Sequence, residues 1–300
     1  MKKTYLFAGT SIFFWSTVAT LSKLLLKSYN NIQLLWISSL FAAIFLLVVN
    51  LVTKNIKRLK EYKPKDYLIT ILIGLPGTFL YYLFYYGGAD RMLASQAFII
   101  NYLWPIMSVL FACIILKEKM TIRKMVAILL SFVGVVIVTG GEITQFNSNT
   151  LIGALLCIMG AVSYGIFTAL NQKFYYEKRI SMMLNCFVTF ILTGIINAAK
   201  GDLFIPSPVE TLGFLWNGML AIGLATTVWA IALESGKTAK ISNLAYITPF
   251  VSLLWTSLIL KEKLNIWFVV GLVVIVLGIF VQMKDKTDKT KEPVSAAAER

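Results

Sequence analysis

Leu116-Lys117-Glu118-Lys119 returns 144 residues later as Leu260-Lys261-Glu262-Lys263, and the sequence around it returns in the same register. Segment 102–138 falls on 246–282: Tyr102 lands on Tyr246, Pro105 on Pro249, Ser108 on Ser252, Leu110 on Leu254, Ile122 on Ile266, Val126 on Val270 and Gly134 on Gly278. Two apolar segments share Leu and Val by composition alone. A register that also keeps Tyr, Pro, Gly and a charged turn marks a duplicated unit. A weaker echo pairs Trp15-Ser16 with Tyr164-Gly165 and Lys23 with Gln172.

What is duplicated follows from the spacing of charges. Of the 300 residues 58% are hydrophobic and only 14% charged, against about a quarter charged in soluble domains. This excludes a disordered chain, a fibrous repeat or a disulfide-built secreted scaffold. The charges leave ten uncharged intervals of 17 residues or more: 4–22, 28–53, 67–89, 92–116, 125–141, 143–172, 180–199, 211–233, 241–260 and 264–283. Crossing the hydrocarbon takes roughly 20 apolar residues as helix. The expected fold is therefore an all-α polytopic membrane protein of ten transmembrane helices. Five fall in each half, residues 1–145 and 146–283, ahead of a disordered tail, 284–300. Five is odd, so corresponding helices must cross in opposite directions. Inverted repeats of this kind let one fold swap which half is open around a site near the midplane.

The net charge of +14 is not a nucleic-acid footprint, because the Lys and Arg residues lie in short connectors and form no face. With the N-terminus inside, 22 of them fall in inner segments and five in outer loops, with Lys23 left in the first helix. The positive-inside rule then places both termini in the cytoplasm of a plasma (inner) membrane protein. Lys2-Lys3 before 19 uncharged residues resembles a secretory signal, yet the apolar run is long and no small-x-small site follows it; it is expected to stay as the first helix. Cys113, Cys157 and Cys186 lie in apolar spans and read as small hydrophobes. No His exists, so neither a metal nor another cofactor is expected.

Acid–base pairs are absent from the spans: Asp90, Glu118, Glu234 and Glu262 fall at predicted helix ends, where Glu118 and Glu262 are expected to pair with neighbouring Lys. A dedicated proton relay is hard to build from such a set. Aromatic and amide groups are better candidates. Tyr81, Tyr82, Tyr85 and Tyr86 form one broad stripe of the third helix. Asn101-Tyr102-Leu103-Trp104-Pro105 falls mid-span, and Pro105 frees a backbone carbonyl that lipid cannot satisfy. Pro249 does the same beside Asn243, Tyr246 and Thr248. Trp15, Tyr164, Asn171 and Trp229 join the expected cavity lining. Lys23 has two readings, a snorkelling interface anchor or a fixed positive charge at the entrance. Ser131, Gly134, Gly271 and Gly278 read as helix-packing positions.

These residues resemble the EamA-type branch of the drug/metabolite transporter superfamily. Trp15 with Lys23 eight positions on, Trp229, Asn243-Leu244-Ala245-Tyr246-Ile247-Thr248-Pro249-Phe250 and Leu260-Lys261-Glu262-Lys263 carry the likeness, which spans the chain to about residue 283. It implies ten helices in two inverted halves and a central cavity built from the first four helices of each. Asn101-Tyr102-Leu103-Trp104-Pro105 looks more particularly like the bacterial aromatic amino acid exporters. The carry-over makes Tyr82, Asn101, Tyr102, Trp104, Trp229 and Tyr246 lining residues. The chain departs from the family pattern in having Lys117 and Lys261 where a small residue is usual, and Ser16 for the glycine after Trp15.

The function expected is alternating-access transport, as an exporter of small amphipathic metabolites with amino acids first. The partners are that solute and the bilayer, with a homodimer allowed and nucleic acid excluded. The rival within transport is an importer of a cation such as choline, held by ring faces. A polytopic enzyme would need a catalytic base, a metal cluster or a large loop, and the sequence offers none of these.

Overall fold

The computed structural model describes residues 2–140, 148–174, 176–233 and 244–283, and every regular element among them is helical. The expected boundary near residue 145, Asn243, Glu234 and the tail 284–300 lie outside the described residues. In chain order the α-helices are α1 (Lys2–Leu25), α2 (Asn31–Val52), α3 (Pro64–Leu75), α4 (Tyr81–Arg91), α5 (Ala94–Asn101), α6 (Trp104–Ile115) and α7 (Ile122–Gly140). Then come α8 (Ser148–Lys173), α9 (Lys178–Lys200), α10 (Pro208–Leu215), α11 (Ala225–Leu233), α12 (Thr248–Leu260) and α13 (Ile266–Met283).

Local chemistry sets many of the ends. Asn30 and Gln33 form a capping box ahead of α2, Ser207 and Glu210 form one at α10, and Gly201 closes α9 at φ 72°. α3 runs into α4 through a π-helical segment, Pro76–Leu80, and α10 into α11 through another, Trp216–Leu224. Six stretches are long and apolar enough to cross a membrane: Asn31–Val52, Pro64–Arg91, Ala94–Ile115, Ser148–Lys173, Lys178–Lys200 and Pro208–Trp229. Ala245–Leu260 and Ile266–Val281 are shorter apolar helices, and α1 and α7 fall outside both groups.

Packing is organised in matched pairs. α7 lies along α13, and α2 along α9. Both pairs are antiparallel. A Cβ on Gly134 would lie 2.7 Å from the Gly271 carbonyl, and one on Gly278 2.8 Å from that of Ala127. Likewise Trp36 stacks with Phe190 near one end of the α2–α9 pair while Asn50 donates to the Arg179 carbonyl at the other. The four small residues expected at helix contacts thus permit backbone-to-backbone approach, since Ser131 Oγ also lies 2.8 Å from the Cβ position of Gly278.

The remaining helices form two bundles. In the first, α8 packs between α4 and α6; in the second, α1 packs between α11 and α12. α1 and α8 open the two halves, so each bundle joins the first helix of one half to later helices of the other. Contacts also sort the connectors. Tyr62, Asp66, Tyr176 and Arg179 gather at one end through the Tyr62–Tyr176 rings, the Tyr176–Asp66 hydrogen bond and the Asn50–Arg179 contact. Lys23, Asp90, Ala94 and Glu262 gather at an opposite helix end.

Candidate functional site

The site starts where two helices begin with a proline in their first turn. α5 stops at Asn101 and α6 restarts at Trp104 with Pro105 in its first turn, because proline cannot donate the bond that would continue the first helix. In the other half a 3₁₀ turn, Ala245–Ile247, precedes α12, which has Pro249 in its first turn. The two helix starts meet: the Tyr102 hydroxyl donates to the Ala245 carbonyl at 2.5 Å. Tyr102 is buried and Tyr246 half-buried against Phe280.

Each bundle contributes an aromatic wall. In the first, the Tyr164 ring lies 4.9 Å from Tyr81, 5.2 Å from Trp104 and 5.5 Å from Phe167. Tyr82 and Tyr86 continue it, with Tyr82 also lining a narrow pocket with Leu35, Ser39, Thr78, Cys186, Thr189 and Ile222. In the second bundle Trp15 lies 5.2 Å from Trp229, while Phe13 and Phe14 meet Trp216, and Phe13 meets Trp255. Hydroxyls on α1 anchor two of these indoles. Trp255 donates to Ser16 Oγ and Trp216 to Thr17 Oγ1, each at 3.0 Å. The serine that replaces the family's glycine is therefore a hydrogen-bond acceptor for a ring the sequence reading passed over.

Two buried amides face the tyrosine stripe. Asn101 donates to the Tyr81 hydroxyl at 2.9 Å, and Asn217 to the Tyr86 hydroxyl at 2.8 Å and Ser38 Oγ at 2.9 Å. In both, Oδ1 is buried without a hydrogen-bond partner, as is the Tyr85 hydroxyl. An unpaired buried carbonyl oxygen costs about 1–3 kcal/mol, so it is ready to accept from a polar guest. A neutral acceptor beside ring faces suits an ammonium or amino group.

The π segments lie beside these walls. Gly74 precedes the first and has Asn185 against its α-carbon; Gly218 lies in the second and faces the Ser38 carbonyl, 2.2 Å from where a Cβ would sit. π-Helical turns loosen the backbone ladder and recur at functional sites. Nothing in the period of the sequence signals them.

Of the residues expected from sequence, the structure brings Tyr82, Asn101, Trp104 and Tyr164 together in one wall and Trp15 with Trp229 in the other. Tyr102 bridges the bundles. Asn171 is not brought to the rings: it lies near the end of α8 and donates to the Phe167 carbonyl one turn earlier. Asn243 lies outside the described residues. Trp216, Trp255, Phe13 and Phe14 were missed, because single aromatics in apolar spans look like ordinary packing, and the polar Ser16-Thr17 pair on α1 was the available signal for the two indoles. Asn217 was missed as well, and its place within an uncharged run was the signal for it.

The charged residues occupy ends. Lys23 donates through Nζ to the carbonyls of Ala89 at 2.6 Å, Met92 at 2.8 Å and Asp90 at 3.2 Å, closing the C-terminus of α4. Glu262 does not pair with its neighbouring lysines. Its carboxylate accepts from the backbone N–H groups of Ala94, 2.7 Å, and Ser95, 3.0 Å, at the start of α5, which has no side-chain cap of its own. Glu118 forms an ion pair with Lys124 at 3.1 Å. Lys117 and Lys261 both adopt left-handed backbone, φ 56° and 57°, a conformation that glycine, lacking Cβ, adopts without cost. Beyond the spans, burial and a hydrogen bond to Glu210 push the Tyr29 phenol up to about 12.

Comparison with known proteins agrees with this architecture. A solved crystal structure superposes with a TM-score of 0.69 over 94% of this chain and 96% of that one, at 20% identity. The chain is 25% identical over 297 residues to the uncharacterized transporter YvbV of Bacillus subtilis, covering 96% of this chain and 94% of that protein. It is 24% identical to the aromatic amino acid exporter YddG of Ancylobacter novellus over 60% of this chain and 64% of that protein. The Salmonella typhimurium exporter of that name is 23% identical, with 63% and 67% covered. The model of the EamA-like transporter family matches twice, at residues 2–140 and 151–283. Duplication, paired bundles and family match converge: the chain belongs to the EamA-like transporter family, a membrane transporter and not an enzyme.

Proposed function

We propose that the protein is a ten-span carrier with both termini in the cytoplasm, exporting small amphipathic metabolites by alternating access, aromatic amino acids foremost. The basic bias, 22 Lys and Arg against five, supports the orientation. The two bundles supply the parts that rock, and the walls of Tyr81, Trp104 and Tyr164 and of Trp15 and Trp229 supply the faces that hold the solute. One observation supports the substrate class above the others: Asn101 Oδ1 is buried and unpaired, while its amide donates to Tyr81, whose ring meets Tyr164 and through it Trp104. A zwitterion with an apolar side chain offers that oxygen an ammonium and offers the rings a planar or branched group. The limited relationship to the YddG exporters points the same way.

The test is flux of labelled phenylalanine and labelled choline in proteoliposomes. Saturable phenylalanine flux that weakens in Asn101→Leu supports the proposal. Choline flux without phenylalanine flux would instead identify a carrier of quaternary amines, held by cation–π attraction alone.

A further inference from the structure

The contacts of Lys23 and Glu262 share a property that the aromatic walls do not. Both join one bundle to the other. Lys23 belongs to α1 and holds the end of α4; Glu262 follows α12 and holds the start of α5. The α4–α5 turn is thus gripped from both sides by the opposite bundle. An ammonium sits on the carbonyl end of α4 and a carboxylate on the N–H end of α5, each matched in sign to the helix terminus it meets. Both contacts are charge-assisted and short, the stronger sort of hydrogen bond. Ser95 is 1% exposed beneath these contacts, and its hydroxyl has no partner.

Among the described residues the counterpart glutamate is engaged differently. Glu118 occupies the position of Glu262, after a left-handed lysine in the same turn: its N–H returns to the Ala112 carbonyl as that of Glu262 returns to Thr256. Yet the Glu118 carboxylate pairs with Lys124, in the first turn of α7 and so within its own half. One end is fastened bundle to bundle, while among the described residues the counterpart glutamate is engaged within its own half; residues 238 and 239, the repeat equivalents of Ala94 and Ser95, lie outside them. We infer that Lys23 and Glu262 form a two-point latch that holds this end of the carrier shut and must release in every transport cycle. They act as positioning residues, setting which face is open without touching the solute. The inference rests on the two-bundle, alternating-access reading.

The experiment places a reporter under the latch. Ser95→Cys adds a nearly isosteric thiol, and its rate of reaction with a membrane-impermeant methanethiosulfonate is followed by site-resolved mass spectrometry, so that Cys113, Cys157 and Cys186 do not interfere. The reagent is applied to each membrane face in turn. With the latch intact the thiol is protected from both sides. Glu262→Gln and Lys23→Gln should each raise its rate at least about tenfold, as expected for losing a charge-assisted hydrogen bond, and only from the face that carries residue 262. Glu262→Asp, which keeps the charge but shortens the reach, should fall between. If one variant fails to accumulate, the other carries the comparison. Unchanged rates, or an equal rise from both faces as in general loosening, would overturn the latch. Labelling needs no transported solute, so a wrong solute class leaves the result readable.

Discussion

Gly165→Ala should be the more damaging of two outwardly identical substitutions, and the structure says by how much. Gly165 lies on α8 beside Tyr164, where α8 crosses α6. A Cβ there would stand 2.6 Å from the Met107 carbonyl carbon, 2.7 Å from its Cβ and 2.9 Å from its carbonyl oxygen. Carbon atoms rest at about 3.5–4 Å, so α8 and α6 must part by about 1 Å. The obstacle is largely backbone, which no rotamer change relieves. Overpacking of this kind costs about 1–3 kcal/mol. Separation also pulls Tyr164 from Trp104, a ring pair at 5.2 Å and worth about 0.5–1.5 kcal/mol. Alanine returns up to about 1 kcal/mol of helix propensity. The net is a loss of about 1–3 kcal/mol, read as a fall of ~5 °C in melting temperature in detergent. Gly9→Ala is the internal control: this α1 residue is exposed and nothing lies within 4 Å of its Cβ position, so only the propensity gain applies and melting should hold or rise. Equal melting of the two variants would refute the close-approach reasoning. Weaker phenylalanine binding by the surviving Gly165→Ala protein would tie the same contact to the aromatic wall.

Other outcomes follow from the turns and the ends. Lys261→Gly relieves a left-handed lysine at φ 57° and should raise stability by about 1 kcal/mol, measured by thermal unfolding; a loss would mean that the lysine side chain matters more than its backbone. Tyr29 has its pKa raised from 10.0 to about 12, so the folded state holds the phenolic proton more tightly than the unfolded chain. That contribution is complete below pH 10.0 and disappears as pH rises through about 12. The melting difference between wild type and Tyr29→Phe should shrink across that window, and a constant difference would count against the Tyr29–Glu210 bond.

The all-helical, duplicated architecture was legible because its two signals, uncharged runs and a repeated register, are properties of sequence position; of the ten expected spans, six described helices are long and apolar enough to cross a membrane. Tyr102, Pro105, Tyr246 and Pro249 were picked out by the repeat, and the structure places each proline in the first turn of a helix. The site was legible in part. Tyr164, Trp104 and Asn101 converge because α8 fits between α4 and α6, a neighbourhood set by tertiary packing; Asn171, two turns further along the same helix, turns its amide back on its own backbone. Glu262 illustrates what charge spacing hides. Its nearest charges in sequence are lysines, so a local pair was expected, yet bare N–H groups at the start of α5 compete better for a carboxylate. π-Helical turns were hidden too, because inserting a residue into a helix leaves no periodic trace in an all-apolar segment.

The α7–α13 seam has a consequence for how such a molecule is assembled. Gly134 meets Gly271 and Gly278 meets Ala127, while the 144-residue register equates Gly134 with Gly278 and Ala127 with Gly271. Position i touches j, and j touches i. In the vocabulary of quaternary structure this is an isologous contact, the self-complementary patch of a two-fold dimer. The chain encloses a closed pair of subunits within one polypeptide, so each half already bears the surface on which its twin would dock.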